Sequence, residues 1–317
     1  MHILITGATG FIGAQYIRHY RHHQFTVLSR DPVKAKQRLC SDSEGATNLR
    51  VINHLADLPT LDGIDAVINL AGEAIADKRW TTKQKAEICA SRWQLTQQLV
   101  DLIKNSKVPP KVFLSGSAIG YYGDAGAEQQ SENTMPATIT TRAAKPKSSD
   151  FAQTLCQRWE TIALGAQDHC RVVLLRTGIV LDAEAGALAK MLTPFKLGLG
   201  GRIASGNQVM SWIHERDAVN AIEFLLHIPT ASGPFNLTAP EPVTNKVFTQ
   251  SLAHTLGRNA FIPVPGTLLK LLMGESAALL LGSQNIYPEK LLNNGFTFEF
   301  SSLTQALDAL IKSKQAH

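Results

Sequence analysis

Cysteine is scarce in this sequence, with Cys40, Cys89, Cys156 and Cys170 the only four among 317 residues. No two of them form a C-x-x-C pair, and none stands at metal-ligand spacing from a histidine. That pattern speaks against a disulfide scaffold or a zinc module and fits reduced thiols in the cytoplasm. No metal is expected. Runs of like charge are also missing. The 31 basic and 26 acidic residues are scattered, and the net charge is only +5. With no aromatic interleaving among the basic residues, nucleic acid is not an expected partner. Long apolar runs are absent as well. The most lipid-like stretch, "LLKLLMGESAALLLG" (268–282), contains Lys270 and Glu275 and is too short to span a bilayer. It reads as a buried helix pair in a C-terminal lobe, so no membrane is expected. There is no internal repeat or low-complexity tract. An apolar strand-like run begins at the second residue, so no leader segment is expected ahead of the fold.

What is present is an ordinary globular composition, 44% hydrophobic and 18% charged, long enough for one large domain or two intimately joined ones. The runs "HILIT", "FTVLS", "LRVIN", "DAVINLA", "KVFLSG" and "RVVLLR" are short, β-branched and apolar on both faces. Strands covered on both sides have this composition, and helical patterns separate them. The alternation predicts an α/β fold with a doubly wound parallel sheet. After Arg176 the rhythm changes. "LTPFKLGLGGRIASGN" reads as an irregular arch over the sheet, "WIHERDAVNAIEFLLH" as a return to its flank, and the tail as mostly helical. Residues 1–177 and 212–237 are therefore expected to form the sheet domain. Residues 178–211 and 238–317 are expected to form a smaller, mostly helical C-terminal substrate lobe.

"ILITGATGFIGAQYIRHY" places Gly7, Gly10 and Gly13 after a strand and at the opening of a helix, with Thr9, Phe11 and Ile12 in the same turn. Glycines there let the backbone turn sharply and approach a pyrophosphate held by the helix amides. Strand, loop and helix in that order predict dinucleotide binding. The second strand ends in Ser29 and Arg30, where an acidic residue would bind the ribose of NAD. A guanidinium at that position suits the 2′-phosphate of NADP, so NADP(H) is the expected cofactor.

With "NLAG" (Asn69 to Gly72) and the serine-rich strand end before "YYG", the chain resembles an extended short-chain dehydrogenase/reductase of the sugar-nucleotide epimerase kind. "NLAGEAIADKRWT", "SRW", "SGSAIGYYG", "LRTGIVL", "MSWIHERD", "GPFNLTAPEPVTN" and "LLMGESAALLLGSQ" narrow the likeness. They resemble the bacterial NAD-dependent epimerase/dehydratase family that carries its own C-terminal domain. The resemblance covers nearly the whole chain. It implies a Rossmann fold, NADP(H), and a small polar substrate, with a nucleotide-linked sugar as one option. It also implies that Gly7, Gly10 and Gly13 hold the pyrophosphate and that Arg30 holds the adenosine phosphate. Asn69, Leu70, Ala71 and Gly72 would line the cofactor, with Ser115 to Ser117 near the nicotinamide.

The acid/base pair of short-chain dehydrogenases, Tyr-x-x-x-Lys, is missing. Four residues after each of the five tyrosines stand Tyr20, Gln24, Ala125, Gly126 and Leu291. The family alignment puts Ala152 and Cys156 at the two positions, and Cys156 is expected to be a buried, inert thiol. Three readings stay open. Another residue supplies the proton, with Ser117, Tyr121 and Tyr122 the catalytic candidates. Substrate or water supplies it. Otherwise the protein is a non-catalytic, NADP(H)-responsive sensor or partner-binding protein. Glu73, Arg79, Trp80, Arg92 and Arg176 are the substrate-facing candidates, since arginines near a cofactor cleft suit a carboxylate or phosphate. Lys190, Lys196 and Arg202 are expected to reach over the pocket. His214 and Asp217 read as a loop-anchoring cluster. A monomer or homodimer is expected.

Overall fold

The computed structural model describes residues 1–40, 48–135 and 150–312. Seven parallel strands form one sheet: β1 (His2–Thr6), β2 (Gln24–Leu28), β3 (Leu49–Ile52), β4 (Ala66–Asn69), β5 (Val112–Ala118), β6 (Arg171–Thr177) and β7 (Gly233–Leu237). Their order is β7-β6-β5-β4-β1-β2-β3, so the chain reverses direction of travel between β1 and β4. Ligands of such sheets sit outside the carboxyl ends of the strands at that reversal. Six of the strands coincide with the apolar runs of the sequence. The seventh, "GPFNL", hides behind a glycine and a proline, which are tolerated because it is an edge strand.

Alternation along the strands divides the core between two faces. Ile3, Ile5, Val27, Ile68, Leu114 and Val173 point to one face. They meet α1 (Phe11–His19), α2 (Pro32–Leu39) and α6 (Glu215–His227). Leu4, Val67, Phe113, Val172 and Leu174 point to the other, against α3 (Thr82–Asn105) and α4 (Phe151–Leu164). Each such side chain, fully removed from water, contributes about 1.5–3 kcal/mol. A separate apolar cluster holds the C-terminal elements together. It joins α5 (Gly186–Lys196), α7 (Asn245–Thr255) and α9 (Leu303–Ile311) through Leu188, Leu192, Phe248, Leu252, Leu303 and Leu307 around Trp212.

Two expectations change. The segment "LTPFK" belongs to α5, with Pro194 inside the helix, so only the residues after Lys196 are irregular. The stretch 268–282 is not a buried pair. Its first half is α8 (Gly266–Met273), an eight-residue helix with no buried residue, and Leu271 and Leu272 are exposed. Gly274, at φ +65°, stops α8 and turns the chain into the 3-10 turn Gly274–Ala277, where Ser276 and Ala277 are buried. Among the described residues no helix is long and apolar enough to cross a membrane.

Candidate functional site

At the carboxyl edge of β1, Gly7 adopts φ +71°, and a Cβ there would lie 2.6 Å from the Leu70 carbonyl carbon. A Cβ on Gly13 would lie 2.5 Å from the Gly7 oxygen. The turn is thus pressed against the strand end that follows β4 and admits no side chain at either position. Gly10 is the N-cap of α1, and no side chain caps that helix. Its first-turn amides are left facing outward with the positive end of the helix dipole, a ready anion cradle.

Strand register explains the rest of the edge. Thr6, Asn69 and Ser115 fall in one row across β1, β4 and β5. Thr6 Oγ1 donates to Asn69 Oδ1 at 2.7 Å, and Asn69 Nδ2 donates to Thr96 Oγ1 at 2.9 Å. Trp159 Nε1 donates to the same Thr96 oxygen at 2.8 Å. Asn69 and Ser115 are buried, so they shape this edge from beneath. Leu70 and Ala71 form its surface against the glycine turn. At the end of β2, Ser29 Oγ donates to Asp31 O at 3.1 Å. Arg30 beside it is exposed and has no ion-pair partner among the described residues.

Ser117, Arg176 and Asn236 fall in a second row, across β5, β6 and β7. Here a buried polar network runs through the site. Ser117 Oγ donates to Glu160 Oε1 at 2.6 Å. Arg176 grips the same carboxylate in a fork, Nε to Oε1 and Nη2 to Oε2, each at 2.8 Å. Its Nη1 donates to the Tyr122 hydroxyl at 2.9 Å, and that hydroxyl donates to Asn236 Oδ1 at 2.8 Å. Asn236 N in turn donates to Glu132 Oε1 at 2.8 Å. Burial pushes the Tyr122 phenol up to about 12, against the opposing pull of Arg176. Tyr122 is therefore a fixed, neutral member of the network. Tyr121 differs. Its ring lies over the Arg176 guanidinium at 3.4 Å to the centroid, it is half-buried, and its hydroxyl has no hydrogen-bond partner among the described residues.

The positions aligned with the missing pair face the same wall. Ala152 and Cys156 pack beside Gly120, and burial pushes the Cys156 thiol up to about 12, so it is inert at neutral pH. One turn further along α4 stands Glu160. It was hidden in the sequence inside "RWE", although the i, i+4, i+8 series Ala152, Cys156, Glu160 marks one helix face.

The remaining candidates divide. Arg92 reaches from α3 to the loop after β4, where a Cβ on Gly72 would lie 2.7 Å from its Cζ. Its Nη1 donates to the Glu73 carbonyl at 2.9 Å. Burial pulls its pKa down, and no carboxylate lies within ion-pair distance among the described residues. The Glu73 carboxylate accepts from Lys78 Nζ at 3.1 Å and feels the Arg30 charge. Trp80 is buried with Ile88 and Leu155, and its indole donates to Ile75 O at 2.8 Å, so its ring belongs to packing. Arg79 Nη2 donates to Leu271 O at 2.7 Å, holding α8. Lys190 pairs with Asp77. Lys196 and Arg202 are exposed, and among the described residues Arg202 makes only a local side-chain bond, to Ser205. Asp217 accepts the Glu299 and Phe300 amides at 2.8 and 3.0 Å, an anchoring role.

A parallel sheet in this order, with a side-chain-free turn opening an uncapped helix at its carboxyl edge, defines a Rossmann-like protein of the extended short-chain dehydrogenase/reductase class. Residues 3–237 match the NAD dependent epimerase/dehydratase family, and the chain belongs to it. Residues 264–310 match a domain of unknown function, DUF1731. The chain is 36% identical to a chloroplastic homolog of the epimerase family protein SDR39U1 from Arabidopsis thaliana, over 98% of this chain and 87% of that protein. It is 35% identical to an epimerase family protein of Staphylococcus aureus strain MW2, over 98% of both. The crystal structure of human SDR39U1 with NADPH matches at TM-score 0.86 and 32% identity, over 98% of this chain and 99% of that one. A nucleoside-diphosphate sugar epimerase from Corynebacterium glutamicum matches at TM-score 0.73 and 27% identity, over 99% of this chain and 60% of that one.

Proposed function

We propose that the chain is an NADP(H)-dependent oxidoreductase or epimerase-like enzyme that acts on a small polar, anionic substrate without a Tyr-x-x-x-Lys pair. The observation that carries this reading is the uncapped start of α1 behind a turn closed to side chains at Gly7 and Gly13. An exposed arginine at the end of β2, without an ion-pair partner among the described residues, adds to it, and the NADPH in the human relative supports it. The residues fit the cofactor. Gly7, Gly10 and Gly13 leave room for a pyrophosphate, with amides of the turn around Thr9, Phe11 and Ile12 to bind it. Ser29 and Arg30 would hold the adenosine 2′-phosphate. Leu70, Ala71 and Gly72 form the adjoining wall, with Asn69 and Ser115 supporting it from below. NADP(H), when bound, supplies or accepts a hydride.

In this reading Ser117 holds the substrate oxygen and Tyr121 is the proton-transfer group, because its phenol is the one left without a partner. Arg92 grips a substrate carboxylate or phosphate, the charge its own surroundings do not provide. Tyr122 and Arg176 position Ser117 and Tyr121 through Glu160. Glu73 and Trp80 shape the loop that carries Gly72. Residues 1–177 and 212–237 would be the cofactor domain, and residues 178–211 and 238–317 the substrate lobe.

The test is a fluorescence titration with NADPH and NADH, followed by turnover on a panel of carbonyl compounds and nucleotide-linked sugars. Arg30→Ala should weaken NADPH binding about tenfold to a hundredfold and leave NADH unchanged. Ser117→Ala should slow turnover. NADPH binding that ignores the arginine substitution would overturn the cofactor assignment. A second reading is favoured by one observation: the positions that align with the acid/base pair hold Ala152 and an inert thiol, Cys156. On that reading the protein is a non-catalytic, NADP(H)-responsive sensor or partner-binding module. Tight NADPH binding without turnover on any member of the panel, together with a partner retained only in the presence of NADPH, would favour it.

A further inference from the structure

Far from the cofactor edge, at the amino-terminal ends of the strands, four side chains converge that no step above uses. His22 and His23 stand in the turn between α1 and β2. Glu223 and His227 stand one turn apart on α6, whose neighbour is α1. Glu223 Oε1 lies 3.0 Å from His23 Nε2 and 3.0 Å from His227 Nε2. Its Oε2 lies 3.2 Å from His23 Nε2 and accepts the Tyr16 hydroxyl at 2.6 Å. The His22 and His23 rings are 4.0 Å apart, centre to centre. One donor atom from each of His22, His23 and Glu223 falls within 4.8 Å of the others.

We infer that His22, His23, Glu223 and His227 form a binding site for a divalent transition-metal ion, Zn²⁺ by donor type. The spacing fits. Donors about 2.1 Å from a tetrahedral ion stand roughly 3.4 Å from one another, so small side-chain rotations bring the His22, His23 and Glu223 donors into a coordination shell, and His227, 3.0 Å from Glu223, can close it. The chemistry fits too. Imidazole nitrogens with one carboxylate select Zn²⁺, Ni²⁺ or Cu²⁺ over Mg²⁺ and Ca²⁺, which need all-oxygen shells. The Tyr16 hydroxyl, fixed on the carboxylate, is the outer-shell hydrogen bond that orients such a ligand. His22 is exposed and the His227 side chain is 56% exposed, so an ion has an entry path. The spacing rules that predict no metal look along the chain. This cluster is assembled by the packing of α1 on α6, with its halves 200 residues apart. A bound ion would tie the α1–β2 turn to α6 and stabilise the native state by mass action.

Calorimetric titration of untagged, EDTA-stripped protein with ZnCl₂ is expected to show saturable binding of one ion, with a rise in melting temperature. The double variant H22A/H227A, altered only at exposed positions, should lose at least tenfold in affinity while its circular dichroism spectrum stays native. No saturable heat at one equivalent would overturn the inference, as would an identical isotherm in the double variant. Neither readout involves NADPH, so the proposed cofactor chemistry stands or falls separately.

Discussion

At the scale of single residues, the Glu160–Arg176 pair governs the site. Both side chains are almost wholly buried, 5% and 4% exposed, and the fork geometry satisfies both oxygens of the carboxylate. Removing one partner strands a buried charge, which costs about 3–5 kcal/mol. Glu160→Ala should therefore lower the urea midpoint markedly in equilibrium unfolding, whereas Lys34→Ala, at an exposed pair with Asp31, should change it by less than about 1 kcal/mol. This pair was not legible in the sequence. Arg176 announces itself at a strand end, but nothing local says that it is consumed by Glu160 on a helix and by Tyr122 after another strand. Its apparent availability to substrate disappears once register and helix packing are known. The split between Tyr121 and Tyr122 was equally hidden, because adjacent residues of a 3-10 turn face different surroundings.

At the scale of elements, local signals carried far. The glycine turn and six of the seven strands could be read directly, since apolar runs and a turn that needs φ > 0 are properties of a few consecutive residues. Gly233 and Pro234 concealed the seventh strand, and Gly274 cut a long apolar stretch into an exposed helix and a turn that buries only Ser276 and Ala277. Gly13→Ala should abolish saturable NADPH binding in the titration, because its methyl would meet the Gly7 carbonyl at 2.5 Å. The start of α6 makes a pH prediction. His214 caps this helix, accepting from Arg216 N at 3.1 Å, and stacks on Phe300 at 3.8 Å. Burial pulls its pKa from the ordinary 6.5 down to about 4, with the Arg216 charge adding to the effect. The unfolded chain then takes up this proton at higher pH than the folded one. The stability it contributes is complete above about pH 6.5 and is lost as pH falls toward 4, about 3 kcal/mol in all. Urea unfolding at pH 7.5 and 4.5 should show a smaller difference in His214→Asn, which keeps the cap but not the titration.

At the scale of the whole molecule, the loop between β4 and α3, with the first turn of α3, ties the sheet to the C-terminal elements. Arg79 donates to Leu271 O at 2.7 Å, Lys85 pairs with Glu275, and Asp77 pairs with Lys190 on α5. These contacts add to the paired strands Ile179–Leu181 and Trp212–His214, whose alternate side chains enter the two apolar cores. Arg79→Ala should speed hydrogen exchange in residues 266–277 while leaving the sheet amides protected, as mass spectrometry can read segment by segment.

The hydrogen of Ser117 is directed at Glu160, whose two oxygens the Arg176 guanidinium also holds. If Ser117 holds the substrate oxygen as proposed, it offers that oxygen electron pairs rather than a hydrogen. A ketone or aldehyde oxygen would meet them head-on, whereas an alcohol would dock by lending its own O–H, so on the proposed reading the resting site favours the reduced member of a carbonyl–alcohol couple.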